Sequence, residues 1–252
     1  MEKSELNNAT IIRNISADQS EILHNIMTLY NGGKPFDCDM TASTLAFYKK
    51  SKGDKYEIPC PNILFDVYPQ TPETVKITPF EKLPLEDGSI HSIVVDLPFL
   101  VFPPKCPSVS EGKEGANKMF NRFTGWYPAM EFYENAYWWL KECHRVLDEG
   151  GICVWKMQNT VSGGQQRWFT YYSFMAALSN GFLMEDEFVL QAKHRMISAG
   201  KYKKQIHSRK YTSNFMVFKK DSRKALKQNT LSFLERVKIV DLENNKENTK
   251  II

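Results

Sequence analysis

Apolar and polar positions along the chain follow two periods. Short apolar runs at 35–39, 63–67, 74–78, 92–97, 151–157, 182–192 and 214–220 are each bounded by turn or helix signals, which predicts seven strands. Helical spacing alternates with them. Ile22, Leu23, Ile26, Met27 and Tyr30 share one face behind a capping-box pattern at 16–19, and Gly32-Gly33 ends that helix. Tyr133, Ala136, Tyr137, Leu140, His144 and Leu147 mark a second stripe that stops at Gly150-Gly151. A third helix is expected over 168–178, before Asn180-Gly181. Strands that alternate with helices imply an α/β fold with a mostly parallel sheet covered on both sides. The last two runs lack an intervening helix, so they are expected to pair as an antiparallel hairpin. The polar residues 1–15 read as a frayed N-terminus, 16–220 as the folded domain, and 221–252 as a partly helical or disordered tail.

Composition narrows the class. With 252 residues, 42% apolar and 25% charged, the chain can bury a core without disulfides or metal. Its longest apolar stretch, 90–102, is interrupted by Asp96 and Pro98, so no membrane-spanning helix is expected. The opening residues lack an apolar segment, and the five cysteines form no Cys-x-x-Cys pair. Free thiols in a reducing cytoplasm and no structural zinc are the expectation.

Charge is distributed unevenly. The net charge is +4, yet 193–220 contains nine Lys or Arg and no acid, so the remainder stands at 4 − 9 = −5. Tyr202, Tyr211 and two histidines interleave with the basic residues. Clustered positive charge releases counterions on binding a phosphate backbone. Lys201, Lys203, Lys204, Arg209 and Lys210 are therefore candidate nucleic-acid contacts. A solvated hairpin is the other reading of the same residues.

The most specific pattern is Ser92-Ile-Val-Val-Asp96-Leu97-Pro98-Phe99. It puts an acid at the carboxyl end of a buried strand, the edge where open α/β sheets bind ligands. The segment resembles the Asp-Pro-Pro-Phe signature of S-adenosylmethionine-dependent DNA amino-methyltransferases of the small phage and bacterial kind. That resemblance implies a class I methyltransferase, Rossmann-like fold, with Asp96, Leu97, Pro98 and Phe99 as the catalytic group. An exocyclic amine is a poor nucleophile because its lone pair is delocalised into the ring. Acceptors from a carboxylate and a main-chain carbonyl can orient its hydrogens, while the aromatic stacks on the extruded base. Leu97 departs from the family's proline but keeps the carbonyl.

The flanks extend the likeness from about residue 20 to about residue 220. The segment 34–48, with Asp37, Asp39, Thr41 and Ser43, resembles the family's first cofactor motif. Asp66 falls where an acid would hold the cofactor ribose. Leu45 stands where the family has a glycine. Lys156 and His144 have weaker claims, as a target-pocket residue and as a boundary histidine. The long segment 103–127 is expected to be a lid. The resemblance thus implies S-adenosylmethionine as cofactor and DNA as partner, with methyl transfer favoured to N6 of adenine over N4 of cytosine. RNA or protein glutamine as substrate, or a non-catalytic nucleic-acid-binding relic of the fold, remain open beside it.

Overall fold

The computed structural model describes residues 11–99, 101–102, 127–162, 164–193 and 206–222, with 101–102 and 127–131 described by their backbone. The expected lid over 103–126, Lys201, Lys203, Lys204, and the terminal segments 1–10 and 223–252 lie outside the described residues. In chain order the elements are β1 (Ile15–Ser16), α1 (Gln19–Tyr30), β2 (Cys38–Asp39), β3 (Ile63–Asp66), β4 (Val75–Lys76), β5 (Ile90–Val95), β6 (Val101–Phe102) and β7 (Tyr127–Pro128). They continue with α2 (Ala129–Val146), β8 (Leu147–Met157), β9 (Thr160–Ser162), β10 (Gln165–Arg167), α3 (Phe169–Ser179), β11 (Phe182–Gln191) and β12 (Thr212–Lys220).

One sheet holds eight strands in the order β1-β11-β12-β8-β5-β2-β3-β4. Strands β8, β5, β2, β3 and β4 pair in parallel, and β12 runs antiparallel between β8 and β11. This is a Rossmann-like, mostly parallel α/β sheet with an antiparallel hairpin at one side, the architecture that the resemblance led one to expect. Among the described residues the sheet has eight strands where seven were expected. Ile15 and Ser16 add a parallel edge strand on β11, opposite Val189 and Leu190. A two-residue strand is too short to leave a period in the sequence.

Alternation along the central strands sorts their side chains onto two buried faces. Val94, Ile152, Val154, Phe215 and Val217 meet Ile22, Leu23 and Ile26 of α1. Ile93, Val95, Cys153, Trp155, Met216 and Phe218 face α2 and α3. Each fully buried Leu, Ile or Phe contributes about 1.5–3 kcal/mol of hydrophobic stabilisation, so both faces need their helices.

Two local expectations change. The N-cap of α1 is Asp18, which accepts from Ser20 N at 2.8 Å, while Ser16 lies in β1 and accepts from Asp18 N. The buried stripe of α2 is Phe132, Ala136, Trp139, Leu140, Cys143 and Val146. Tyr137 is 43% exposed, and Leu147 already belongs to β8. The expected stripe was rotated because it counted two amphipathic side chains, Tyr137 and His144, as core and passed over Trp139. His144 is half-buried, edge-on to Phe182 at 5.1 Å, and burial holds its pKa down, as suits a boundary histidine. No described helix is long and apolar enough to cross a membrane.

Candidate active site

Strand order reverses between β2 and β5, because β3 lies on one side of β2 and β5 on the other. Chain segments leaving the carboxyl ends of these strands therefore diverge and leave a crevice. Asp39 ends β2, Asp66 ends β3, and Asp96 follows the last residue of β5. Thr41 links the first to the third. Its hydroxyl accepts from Asp96 N at 2.7 Å and lies 3.2 Å from Asp39 Oδ1, to which it donates. Thr41 N also donates to Asp39 Oδ1, and Tyr48 donates its hydroxyl to Oδ2 at 2.7 Å. Despite these donors, burial pushes the Asp39 carboxyl up to about 7, and the nearby charge of Asp96 adds to the rise.

Asp66 fastens the loop after β2 to β3. Its Oδ2 accepts from Ser43 N at 2.8 Å and its Oδ1 from Tyr68 N at 2.7 Å. Burial raises its pKa too. Within that loop Ser43 and Leu45 take left-handed backbone, with φ of 47° and 61°. The position where the resemblance puts glycine is thus one whose conformation favours glycine. Leucine is held there by burial against Ala42 and Leu64, with Tyr48 alongside.

The carboxylate of Asp96 has a partner that sequence reading ranked low. Lys156 Nζ lies 2.9 Å from Asp96 Oδ2, with side-chain exposures of 13% and 24%. The ammonium also lies over the rings of Phe47 and Phe215, at 4.8 and 5.6 Å. Pairing of Val95 with Trp155 sets the register that brings Asp96 beside Lys156. The signal was present in the sequence as a lysine near the end of an apolar run, but its partner depends on that register.

Leu97 is buried in the core, and Phe99 packs against the same cluster from a half-buried position. Pro98 is half-buried. Asp37 stands apart from the group. Its Oδ2 accepts from His91 N at 2.8 Å and Ser92 N at 2.9 Å, so it fastens the start of β5. Arg209 is exposed, and Lys210 sits over Trp168 at 5.3 Å. Both precede β12, whose first residues pair near the end of β8, so they lie at the carboxyl edge as well. Among the described residues no group of three or more His, Cys, Asp or Glu could hold a metal ion.

No family model and no curated protein matches the chain. Solved structures do. A putative DNA modification methylase from Thermus thermophilus, complexed with S-adenosyl-L-methionine, is 15% identical, with 55% of this chain and 50% of that chain covered and a TM-score of 0.33. The PvuII DNA methyltransferase (cytosine-N4-specific) is 16% identical over 55% of this chain and 45% of that one, with a TM-score of 0.38. A complex of the Haloferax volcanii Trm112 methyltransferase activator with a putative methyltransferase is 12% identical, covering 75% and 84%, with a TM-score of 0.40. The chain spans about half the length of the first two.

Proposed function

We propose that the chain transfers a methyl group from S-adenosylmethionine to the exocyclic amine of a base in DNA, N6 of adenine. The observation that carries this reading is the setting of Asp96. Its amide is anchored by Thr41 and its Oδ2 by Lys156, so its carboxylate is aimed from two sides at the carboxyl edge of the sheet. Bound S-adenosylmethionine would supply an electrophilic methyl on a sulfonium. The donor set suits it: Asp66 and Asp39 flank the loop with Thr41 and Ser43, and the Asp66 carboxylate keeps acceptor capacity beyond its backbone donors for a ribose hydroxyl. Asp96 Oδ1 then accepts one hydrogen of the target amine, and the Leu97 carbonyl accepts the other. Fixing both hydrogens directs the nitrogen lone pair toward the methyl group and favours sp³ geometry. The methylated amine returns to neutrality by losing one of these protons to solvent. An aspartate rather than a serine at the head of the motif favours adenine over cytosine.

The test is calorimetric titration with S-adenosylmethionine beside a radiolabelled methyl-transfer assay on DNA. Wild type should bind the cofactor. Asp96→Ala should bind it within severalfold while transfer falls by at least about a hundredfold, as when a group that acts in the transition state is removed. Failure of the wild type to bind would return the chain to a non-catalytic relic of the fold. Substantial turnover by the variant would remove Asp96 from its role.

A further inference from the structure

The carboxyl edge carries a second feature that the methyl-transfer site does not use. Trp168 and Tyr171, at the start of α3, are 51% and 64% exposed. Their rings lie 5.8 Å apart at 70°. Trp168 occupies the N-cap of α3 and makes no side-chain cap. Small polar residues are preferred there. The missing cap comes from elsewhere, since Asn159 Oδ1 accepts from Thr170 N at 2.9 Å. An indole therefore stands exposed at a position where local helix stability asks for Ser, Thr or Asn.

Cations stand beside it at Arg167, its neighbour in the chain, and at Lys210. Between 157 and 184 the one charged residue is Arg167, and 188–220 holds nine Lys or Arg and no acid. Lys210 lies over the Trp168 ring, and His207 Nε2 is 2.8 Å from Gly164 O, which joins the basic segment to the β9–β10 turn. On that hairpin Gln166 Oε1 and Arg167 Nε are buried with no hydrogen-bond partner among the described residues. Buried polar atoms of this kind are uncommon and ask for a ligand or water. Exposed rings, cations and unmatched polar atoms together suit a polyanion with flat apolar faces.

We infer that Trp168 and Tyr171 form a stacking platform for an unpaired base of the DNA strand, with Arg167, Arg209 and Lys210 gripping its phosphates. This rests on the DNA reading above and adds to it the state of the DNA. Extruding a target base from a duplex leaves unstacked neighbours. Aromatic faces beside cations are how proteins hold such bases without reading their sequence. The platform shares the sheet edge with Asp96, because β8 leads into the hairpin and β12 starts beside its end.

The experiment measures affinity by fluorescence anisotropy for one labelled oligonucleotide, single-stranded and in duplex, across a salt series. Trp168→Ala and Tyr171→Ala should each weaken single-strand binding by about five- to a hundredfold, the range of one lost base stack. Their slope of log affinity against log salt should match wild type, and Trp168→Phe should retain most of the affinity. Unchanged thermal midpoints would show that the exposed substitutions leave the fold intact. Wild-type binding with equal affinity in the alanine variants overturns the platform alone. A slope lowered in step with affinity also overturns it, since that signals lost phosphate contacts. No binding of either oligonucleotide by wild type overturns the platform and the DNA reading together.

Discussion

Asp39 accepts hydrogen bonds from Thr41 and Tyr48, yet its carboxyl titrates near 7 because desolvation outweighs them. In the unfolded chain it should return to 3.8. Between these values the folded state binds more protons, so stability falls as pH rises from about 4 to about 7 and is flat above. Urea unfolding from pH 5 to 8 should show wild type losing stability relative to Asp39→Asn up to about pH 7. Parallel curves would contradict the assignment. Leu45 poses the opposite balance. Left-handed backbone costs a residue with a Cβ about 1–2 kcal/mol, which burying a leucine side chain offsets at about 1.5–3 kcal/mol. The glycine-like demand at this position was legible in the motif. That leucine meets it through contacts with Ala42 and Leu64 was not, since those contacts need the folded loop.

Elements are joined by polar groups as well as by the core. Arg145, in the last turn of α2, donates to Leu85 O at 2.9 Å and Leu83 O at 3.2 Å, and pairs with Glu142 at 2.8 Å. Glu142 in turn accepts from Leu83 N at 3.0 Å. This network fastens the 83–88 segment to α2 and so fixes the approach to β5 and Asp96. The Glu142 side chain is 6% exposed, so Arg145→Met strands a buried carboxylate. A loss of about 3 kcal/mol in urea unfolding is expected, the low end for breaking a buried pair. A loss below about 1 kcal/mol would mean the network is no stronger than a surface pair. The strands were legible because apolar runs in a doubly covered sheet have little choice of state. The α1 cap and the α2 stripe were not, because several nearby residues could serve and the neighbouring element selects among them.

At the scale of the molecule, charge is segregated: nine positive residues fall in 193–220, while the remainder is net negative. Neutralising Lys203, Lys204 and Arg209 together should lower the salt slope of duplex binding by about 2–3 and weaken all sequences alike, at about 0.9 per phosphate contact. Cofactor affinity should not change. Salt slopes parallel to wild type would return the segment to a solvated hairpin. This asymmetry, like the α/β class and the acid at the end of β5, was written in the sequence alone. Each is a property of local composition or period: apolar runs must be buried, and like charges along a chain stay together wherever it folds. The eighth strand, the Thr41 link between Asp39 and Asp96, and the Lys156 pair were decided by tertiary structure. Each depends on the register of strands far apart in the chain. A lysine or a two-residue strand carries no mark of its partner until the sheet brings them within hydrogen-bonding distance.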